Sequence, residues 1–256
     1  MKLYKIANHL DHMPSFWKHV NEVLREAEII IEVLDARMID ETRNKEVEDK
    51  VRLYGKRLLY VLTKCDLVQK EQIEPVKKTL VPSVFVSSKD HLGTTILKKK
   101  ILEMSRGKSV TVGVVGYPNV GKSSLINALA GRRAAKTSPE SSYTKGIQKI
   151  RVDSKILLLD SPGVFPSMEK DRNKHGKTGA VDHSKIKDPE TAALNLINDE
   201  KNLIKKYYDL KSNDIEQILE ELAIKFRKLE KGGKPNIEVA ARFLLKEWQR
   251  GKIRIF

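Results

Sequence analysis

The chain has 256 residues and a formal net charge of +15, a length that accommodates an α/β domain and a smaller second domain. Its single cysteine excludes an intrachain disulfide and a cysteine-based zinc site. No apolar stretch approaches the roughly 20 residues of a membrane-spanning helix, and residues 1–16 lack the apolar core of a signal peptide, so we expect a cytoplasmic protein.

Short apolar runs alternate with longer amphipathic stretches from residue 29 onward, which predicts strands separated by helices. Four of these runs have the composition of strands buried on both faces: residues 29–31, 57–62, 83–86 and 110–115. Two further runs, at 146–152 and 155–159, follow in quick succession and predict a hairpin across Asp153 and Ser154. The chain is therefore predicted to form a mostly parallel six-stranded sheet.

Polar composition predicts two long loops, at residues 131–145 and 165–185, because neither stretch has a period that would bury one face. After Pro189 the apolar residues recur at helical spacing. We therefore expect a first domain over residues 1–186 and a small all-α domain over residues 187–256.

Residues 116–123, Gly-Tyr-Pro-Asn-Val-Gly-Lys-Ser, match the phosphate-binding loop pattern G-x-x-x-x-G-K-[ST]. The motif follows a predicted strand and precedes a predicted helix at 124–129, which is the context that the pattern requires. Its glycines let backbone N–H groups face the phosphates, Lys122 reaches the β and γ oxygens, and the Ser123 hydroxyl ligates Mg²⁺. We therefore expect a nucleoside triphosphate site with Mg²⁺.

The tetrapeptide Thr63-Lys64-Cys65-Asp66 follows the predicted strand at 57–62. A carboxylate there can accept two hydrogen bonds from the N1–H and N2–H₂ edge of guanine, which adenine cannot supply. The tetrapeptide resembles the N-K-x-D motif of Ras-like GTPases, with Thr63 in place of asparagine. Taken alone, it is as consistent with a turn as with a base site.

Three further segments resemble motifs of the same GTPases. The Ser-Ser-Lys sequence at 87–89 resembles the S-A-K motif that packs on guanine. The Asp-Ser-Pro-Gly sequence at 160–163 resembles D-x-x-G, which implies that Asp160 holds Mg²⁺ through water and that the Gly163 N–H meets the γ-phosphate. Thr144 is the candidate for the switch threonine that closes over Mg²⁺. Taken alone, the segment at 160–163 is also compatible with an ordinary turn, and the three common residues at 87–89 are weak evidence.

The order of these motifs distinguishes the chain from an ordinary Ras-like domain, in which the phosphate-binding loop comes first. Here the guanine motifs precede it, which is similar to the circularly permuted GTPases of the YlqF/RbgA and YawG type that act in ribosome assembly. Asp35-Ala36-Arg37 resembles the opening strand end of that family, and the helical tail resembles its C-terminal domain. The resemblance implies a circularly permuted, P-loop Ras-like G domain that binds GTP and GDP and hydrolyses GTP. The nucleotide contacts that it implies are Thr63, Lys64, Asp66, Ser87, Ser88, Lys89, Asn119, Val120, Gly121, Lys122, Ser123, Ser124, Asp160 and Gly163.

Hydrolysis requires a group that orients water, and Val164 stands where Ras has a glutamine. The resemblance implies two other candidates. Asn119 stands where related GTPases recruit K⁺, and His12 matches a histidine in an N-terminal Gly-His-Met element, although it is equally compatible with a surface histidine. Intrinsic turnover is therefore expected to be slow. The catalytic candidates are His12, Lys122, Thr144 and Gly163, and the metal ligands are Ser123, Thr144 and Asp160 for Mg²⁺ and Asn119 for K⁺.

The excess positive charge is concentrated in residues 98–151, where 12 Lys and Arg face 2 acidic residues. A basic segment of this kind indicates a polyanionic partner, and we expect a ribosomal subunit or rRNA rather than DNA or a membrane, although a merely solvated lysine-rich surface is the simpler alternative. We expect a monomer. A GTP-sensing scaffold with incidental hydrolysis and an ATP-dependent P-loop enzyme remain open as alternative functions.

Overall fold

Six strands form the central sheet of the computed structural model, which describes residues 15–131, 147–166 and 172–254. In chain order they are β1 (Ile29–Asp35), β2 (Arg57–Thr63), β3 (Ser83–Phe85), β4 (Val110–Gly116), β5 (Gln148–Arg151) and β6 (Ile156–Asp160). In the sheet they lie in the order β3, β2, β1, β4, β6, β5, and only the β5–β6 pair is antiparallel. The mostly parallel six-stranded α/β sheet predicted from the sequence is confirmed.

Helices connect the strands and continue beyond the sheet. They are α1 (Ser15–Glu26), α2 (Ile39–Thr42), α3 (Lys45–Leu53), α4 (Lys70–Ile73), α5 (Val76–Thr79), α6 (Thr94–Met104), α7 (Lys122–Ala130), α8 (Arg172–Lys177), α9 (Pro189–Tyr208), α10 (Ile215–Lys225) and α11 (Ile237–Gln249). Four of them begin at a residue whose side chain accepts a hydrogen bond from a first-turn N–H: Asn44, Asp188, Asp214 and Asn236. Such caps satisfy donors that a helix leaves without an internal partner. None of the described helices combines the length and the apolar character needed to cross a bilayer.

Helices cover both faces of the sheet. On one face, apolar residues of α1 and α3 pack with inward residues of β1, β4 and β6 in a core that includes Trp17, Val23, Ile30, Val51 and Val115. On the other face, α7 contacts β4, β6 and α6, and the inward leucines and isoleucines of α6 and α7 are buried. Because both faces are covered, all seven residues of β1 are buried, as expected for the inner strand of a parallel sheet.

The structure contains the predicted hairpin but differs from one of the predicted loops. β5 and β6 form the hairpin, whose turn is held by the Asp153 carboxylate accepting the N–H groups of Lys155 and Ile156 at 2.8 and 3.0 Å. The loop predicted at 165–185 is wrong in part, because it contains helix α8. Tertiary contacts stabilise this short helix, since Lys177 at its end binds Asp199 at 2.8 Å, and a local pattern does not show such contacts. The loop predicted at 131–145 lies almost entirely outside the described residues.

The chain divides into two compact units. The first is drawn from Met1–Asp66 and Ile73–Glu169, and the second from Leu67–Gln72 and Lys170–Phe256. Within the second unit, α9 packs against α8, α10 and α11, which confirms the helical character predicted for the end of the chain. The boundary proposed between residues 186 and 187 stays a prediction.

Glu32 is a charged residue in the interior of β1, where it is fully buried. Its Oε1 accepts the Asn44 N–H at 2.7 Å, whereas Oε2 accepts no hydrogen bond in the described part of the chain. Burial raises the pKa of Glu32 from 4.5 to about 8, against the opposing effect of the Asn44 hydrogen bond. Between these two values the unfolded chain is ionised while the folded chain stays protonated. The free energy of unfolding therefore falls as pH rises through this window.

Replacing Glu32 with glutamine, which is neutral and similar in shape, is expected to remove this pH dependence. At about pH 9, Glu32→Gln should raise the free energy of unfolding by about 5 kcal/mol, and at about pH 4 it should change little. Urea unfolding at both pH values tests this, with the exposed Glu71→Gln as the matched control. Parallel pH profiles for Glu32→Gln and wild type would contradict the prediction.

Candidate functional site

The phosphate-binding loop connects the end of β4 to the start of α7 in the structure, as predicted. Gly121 precedes the helix with a φ of 103°, a left-handed conformation that glycine adopts without steric cost. The free N–H groups and the dipole at the start of α7 favour an anion there. Ser123 and Ser124 lie in the first turn of this helix, with Ser123 partly buried and Ser124 exposed.

Lys122 is folded back onto the phosphate-binding loop. Its ammonium donates to the backbone carbonyl oxygens of Gly116, at 3.0 Å, and Tyr117. Burial lowers the pKa of Lys122 to about 8, and the nearby Asp160 carboxylate opposes this effect. A buried ammonium held only by neutral carbonyls is suited to exchange them for phosphate oxygens.

Asp160 ends β6 and pairs in register with Val114 of β4, which places it beside the phosphate-binding loop. It is 1% exposed, and neither of its carboxylate oxygens accepts a hydrogen bond among the described residues. Burial raises the pKa of Asp160 to about 6, with Lys122 opposing the shift. A buried carboxylate without partners is costly by itself, so this arrangement fits a cation as the missing partner.

The residues available to a metal suit a Mg²⁺ ion that takes most of its ligands from a nucleotide and from water. Among the residues whose positions are described, no group of three or more His, Cys, Asp or Glu side chains could enclose a metal ion. Mg²⁺ bound with a nucleotide commonly uses one or two protein oxygens together with phosphate and water oxygens. Asp160 and the Ser123 hydroxyl supply such a set.

The segment that follows β6 packs against the phosphate-binding loop. A Cβ at Gly163 would lie 2.7 Å from the Cα of Pro118, so only glycine permits this approach. The Val164 N–H donates to the Gly116 carbonyl at 3.2 Å, and the Phe165 ring meets the Tyr117 ring edge-on at 5.2 Å between centroids. A displacement of the phosphate-binding loop would therefore also displace residues 163–165.

Val164 and Phe165 also connect this segment to the face of the sheet covered by α1. Val164 is 1% exposed and belongs to the core beneath α1 and α3, so its side chain has no access to water. The Trp17 indole N–H donates to the Phe165 carbonyl at 3.0 Å. This arrangement agrees with the prediction that residue 164 does not orient a water molecule.

The tetrapeptide at 63–66 lies against the phosphate-binding loop. Thr63 pairs with Asp35 across β1 and β2, and its hydroxyl lies within hydrogen-bonding distance of the Leu34 carbonyl, at 2.9 Å, and the Val120 carbonyl. The Lys64 ammonium donates to the Asn119 carbonyl at 3.2 Å. Threonine at position 63 thus keeps a side-chain connection to the loop, although it is shorter than the asparagine of Ras-like proteins.

The Asp66 carboxylate is partly buried, and its charge opposes the lowering of the Lys64 pKa by burial. The Cys65 N–H donates to the Val86 carbonyl at 3.4 Å, which brings the segment at 87–89 beside the tetrapeptide. Ser87 is buried and its hydroxyl donates to Asp90 at 3.0 Å, the buried Ser88 hydroxyl has no partner among the described residues, and Lys89 is exposed.

The ion pairs of Asp35 are not predicted by the sequence, which indicates only that Asp35 ends a strand. Asp35 binds both Arg37 and Lys64 through its buried carboxylate, with the closest distance 2.8 Å in each case. The signal available in the sequence was the position of Asp35 at a strand end. Lys64 is 29 residues away from Asp35, so neither spacing nor composition identifies this pair.

Two predicted site residues, His12 and Thr144, lie outside the described residues. The other predicted residues gather at the carboxyl ends of β2, β3, β4 and β6 and in the segments that follow them. This edge of an open α/β sheet is where ligands bind in such folds. Their assignment to individual nucleotide contacts stays a prediction.

Comparison with known proteins adds to this geometry. Residues 111–231 match the family described as 50S ribosome-binding GTPase. An uncharacterized GTP-binding protein of Methanocaldococcus jannaschii is 39% identical over 249 residues, which are 93% of this chain and 66% of that protein. The nuclear GTP-binding protein NUG1 of Saccharomyces cerevisiae is 33% identical over 283 residues, covering 92% of this chain and 54% of that protein.

The fold has a solved counterpart in GNP-bound YlqF from T. maritima, with a TM-score of 0.68 and 24% sequence identity over 94% of this chain and 96% of that one. This likeness confirms the permuted order of the sheet and the helical region that follows it. The chain spans about half to two thirds of the length of the relatives described above.

Proposed function

Because the chain belongs to the circularly permuted Ras-like GTPases related to YlqF, we propose that it binds GTP with Mg²⁺ and hydrolyses it slowly to GDP and phosphate. The observation that carries this proposal is the junction between the tetrapeptide at 63–66 and the phosphate-binding loop. Through Thr63 and Lys64, a candidate base site lies directly beside a candidate phosphate site, although the two motifs are about 55 residues apart.

In this proposal each end of the nucleotide meets a different part of the junction. The Asp66 carboxylate accepts the N1–H and N2–H₂ groups of guanine, and the segment at 87–89 packs on the same base. Lys122 exchanges the carbonyls of Gly116 and Tyr117 for β and γ oxygens, while N–H groups at the start of α7 surround the phosphates. Ser123 and Asp160 hold Mg²⁺, which neutralises charge on the phosphates when bound.

Hydrolysis is slow because Val164, the residue after Gly163, is apolar and buried. It therefore cannot orient a water molecule beside the γ-phosphate. His12 remains a candidate for orienting water, Thr144 for closing over Mg²⁺, and Asn119 for recruiting K⁺. The lack of a polar side chain at position 164 also favours a second candidate function, in which the protein acts as a GTP-dependent scaffold and hydrolysis is incidental. Stimulation of hydrolysis by a partner would separate the two functions.

A ribosomal subunit or rRNA is the proposed partner. The basic segment at 98–151 supplies the charge for a polyanion, and the matched family is described as binding the 50S subunit. Residues 163–165 contact the phosphate-binding loop and α1, so loss of the γ-phosphate would alter the surface presented to that partner.

Nucleotide competition tests the proposed function directly. GTP should displace labelled GDP from the purified protein in Mg²⁺ at least about 100-fold more effectively than ATP, because ATP lacks both hydrogen bonds to Asp66. Phosphate release should then be slow alone and faster with 50S subunits in K⁺. If ATP competed as well as GTP, the protein would be a P-loop protein without guanine specificity. If 50S subunits did not accelerate phosphate release, the scaffold function would be favoured.

A further inference from the structure

The carboxylate of Asp35 is fully buried at the carboxyl end of β1 and is surrounded by donors. Its Oδ1 accepts the Arg37 backbone N–H at 3.1 Å and the Arg37 Nε–H at 3.0 Å. Its Oδ2 accepts from the Arg37 guanidinium and from the Lys64 ammonium, both at 2.8 Å. Asp35 therefore joins two cations that come from different strand ends.

Lys64 links this buried carboxylate to the phosphate-binding loop. The same ammonium that binds Asp35 donates to the backbone carbonyl of Asn119 at 3.2 Å. Lys64 and Asn119 both have positive φ values, 56° and 59°, which are uncommon for residues other than glycine. One ammonium thus holds together two loops whose backbones adopt a conformation that needs support from their surroundings.

The charges at this point explain why Asp35 is needed to keep Lys64 in place. Burial lowers the pKa of Lys64, and the Asp35 carboxylate opposes this shift. Burial alone would raise the pKa of Asp35, but the charges of Arg37 and Lys64 lower it below the usual range for aspartate. Arg37 therefore keeps Asp35 ionised, and ionised Asp35 keeps the Lys64 ammonium charged and in one position.

We propose that Asp35 is a positioning residue for the guanine nucleotide: it fixes Lys64 between the base motif and the phosphate-binding loop before the nucleotide arrives. The inference rests on the proposed function, because Lys64 is the residue through which Asp35 acts on the ligand. A side chain that is already ordered loses less conformational entropy on binding, so the fixed lysine strengthens nucleotide affinity.

The sign of the effect distinguishes positioning from simple electrostatics. Removing a negative charge beside an anionic ligand would strengthen binding if charge alone mattered. Positioning predicts the opposite, and Asp35→Asn should weaken GDP binding about tenfold. Asp49→Asn, which removes an aspartate from an exposed ion pair with Arg52, is the matched control and should bind GDP as the wild type does.

A double-mutant cycle with Lys64→Met tests whether Asp35 acts through Lys64. Titration calorimetry with GDP should show that Asp35→Asn and Lys64→Met each weaken binding, and that the double variant is no weaker than Lys64→Met alone. If Asp35 only stabilised the fold, Asp35→Asn would lower the melting temperature and leave the GDP affinity of the folded protein unchanged. That result, or additive losses in the double variant, overturns the proposal.

Failure of this inference can be told apart from failure of the proposed function. If the wild-type protein does not prefer GDP to ADP, the guanine site itself is wrong. If it does prefer GDP and the cycle shows no coupling, only the role of Asp35 is wrong. Where Asp35→Asn does not yield folded protein, Asp35→Glu replaces it in the cycle, because the longer side chain displaces the carboxylate from Lys64 while keeping the charge.

Discussion

Asp66→Asn is expected to change the base preference of the nucleotide site from guanine to xanthine. In the proposed function the wild-type carboxylate accepts two hydrogen bonds from guanine. The asparagine amide keeps one acceptor for the N1–H but presents an N–H group to the N2–H₂ of guanine, which is left without an acceptor. Xanthine has a carbonyl in place of the amino group and accepts from that amide. GTP binding should weaken by about 10²–10⁴-fold, the range typical when a buried polar group loses its partner in a recognition site.

Competition with labelled GDP and labelled XDP measures this exchange, and GTP, XTP and ATP serve as competitors. Asp40→Asn provides the control, because Asp40 is an exposed aspartate of α2. The interpretation of residues 63–66 as a base site would have to be abandoned if Asp66→Asn bound GTP as tightly as wild type. An increase in XTP binding without loss of GTP would place Asp66 near the base but not in contact with its N1–H and N2–H₂ edge.

Asp160→Asn is expected to remove the contribution of Mg²⁺ to GTP binding. Neither carboxylate oxygen of Asp160 has a partner among the described residues, and Lys122 is its nearest compensating charge. An amide retains the shape of the side chain but loses the charge that attracts a divalent cation. GTP affinity in Mg²⁺ should fall about 100-fold, comparable to the loss of a group that supports a metal site.

Chelation of Mg²⁺ by EDTA distinguishes this loss from general damage to the site. EDTA should weaken GTP binding to wild type by a similar factor and should have little further effect on Asp160→Asn. Asp209→Asn serves as the control, because Asp209 is an exposed residue that follows α9 in the second unit. An equal response to EDTA in wild type and Asp160→Asn would show that the ion is held without Asp160.

The sequence alone predicted the sheet because its strands are buried on both faces and therefore appear as continuous apolar runs. The strand at 110–115 and the helix after it also identified the phosphate-binding loop, since its glycines and Lys122 lie within eight consecutive residues. Helix α8 was missed because Gly176, near its end, has a low helix propensity and because its support comes from distant contacts, including Lys177 with Asp199. Local periodicity carries no information about such contacts.

In the candidate site, too, the sequence predicted the residues of local motifs but not the contacts between distant segments. Lys122 and Asp160 were assigned from motifs. That neither Asp160 oxygen has a hydrogen-bond partner among the described residues depends on how the surrounding segments fold. The link from Asp35 through Lys64 to Asn119 joins three segments that are far apart in the chain. Only the pairing of β1 with both β2 and β4 brings those segments together.

The position of Trp17 gives the molecule a built-in fluorophore beside the segment that follows Gly163. Its indole donates to the Phe165 carbonyl, whereas Trp248, the second tryptophan of the chain, donates to the Lys177 carbonyl at 2.9 Å in the other unit. Indole emission depends on hydrogen bonding and on contact with water, so a movement of residues 163–165 changes the quantum yield of Trp17. Each unit thus carries its own spectroscopic reporter, and Trp248→Phe leaves an intrinsic signal that comes from Trp17 alone.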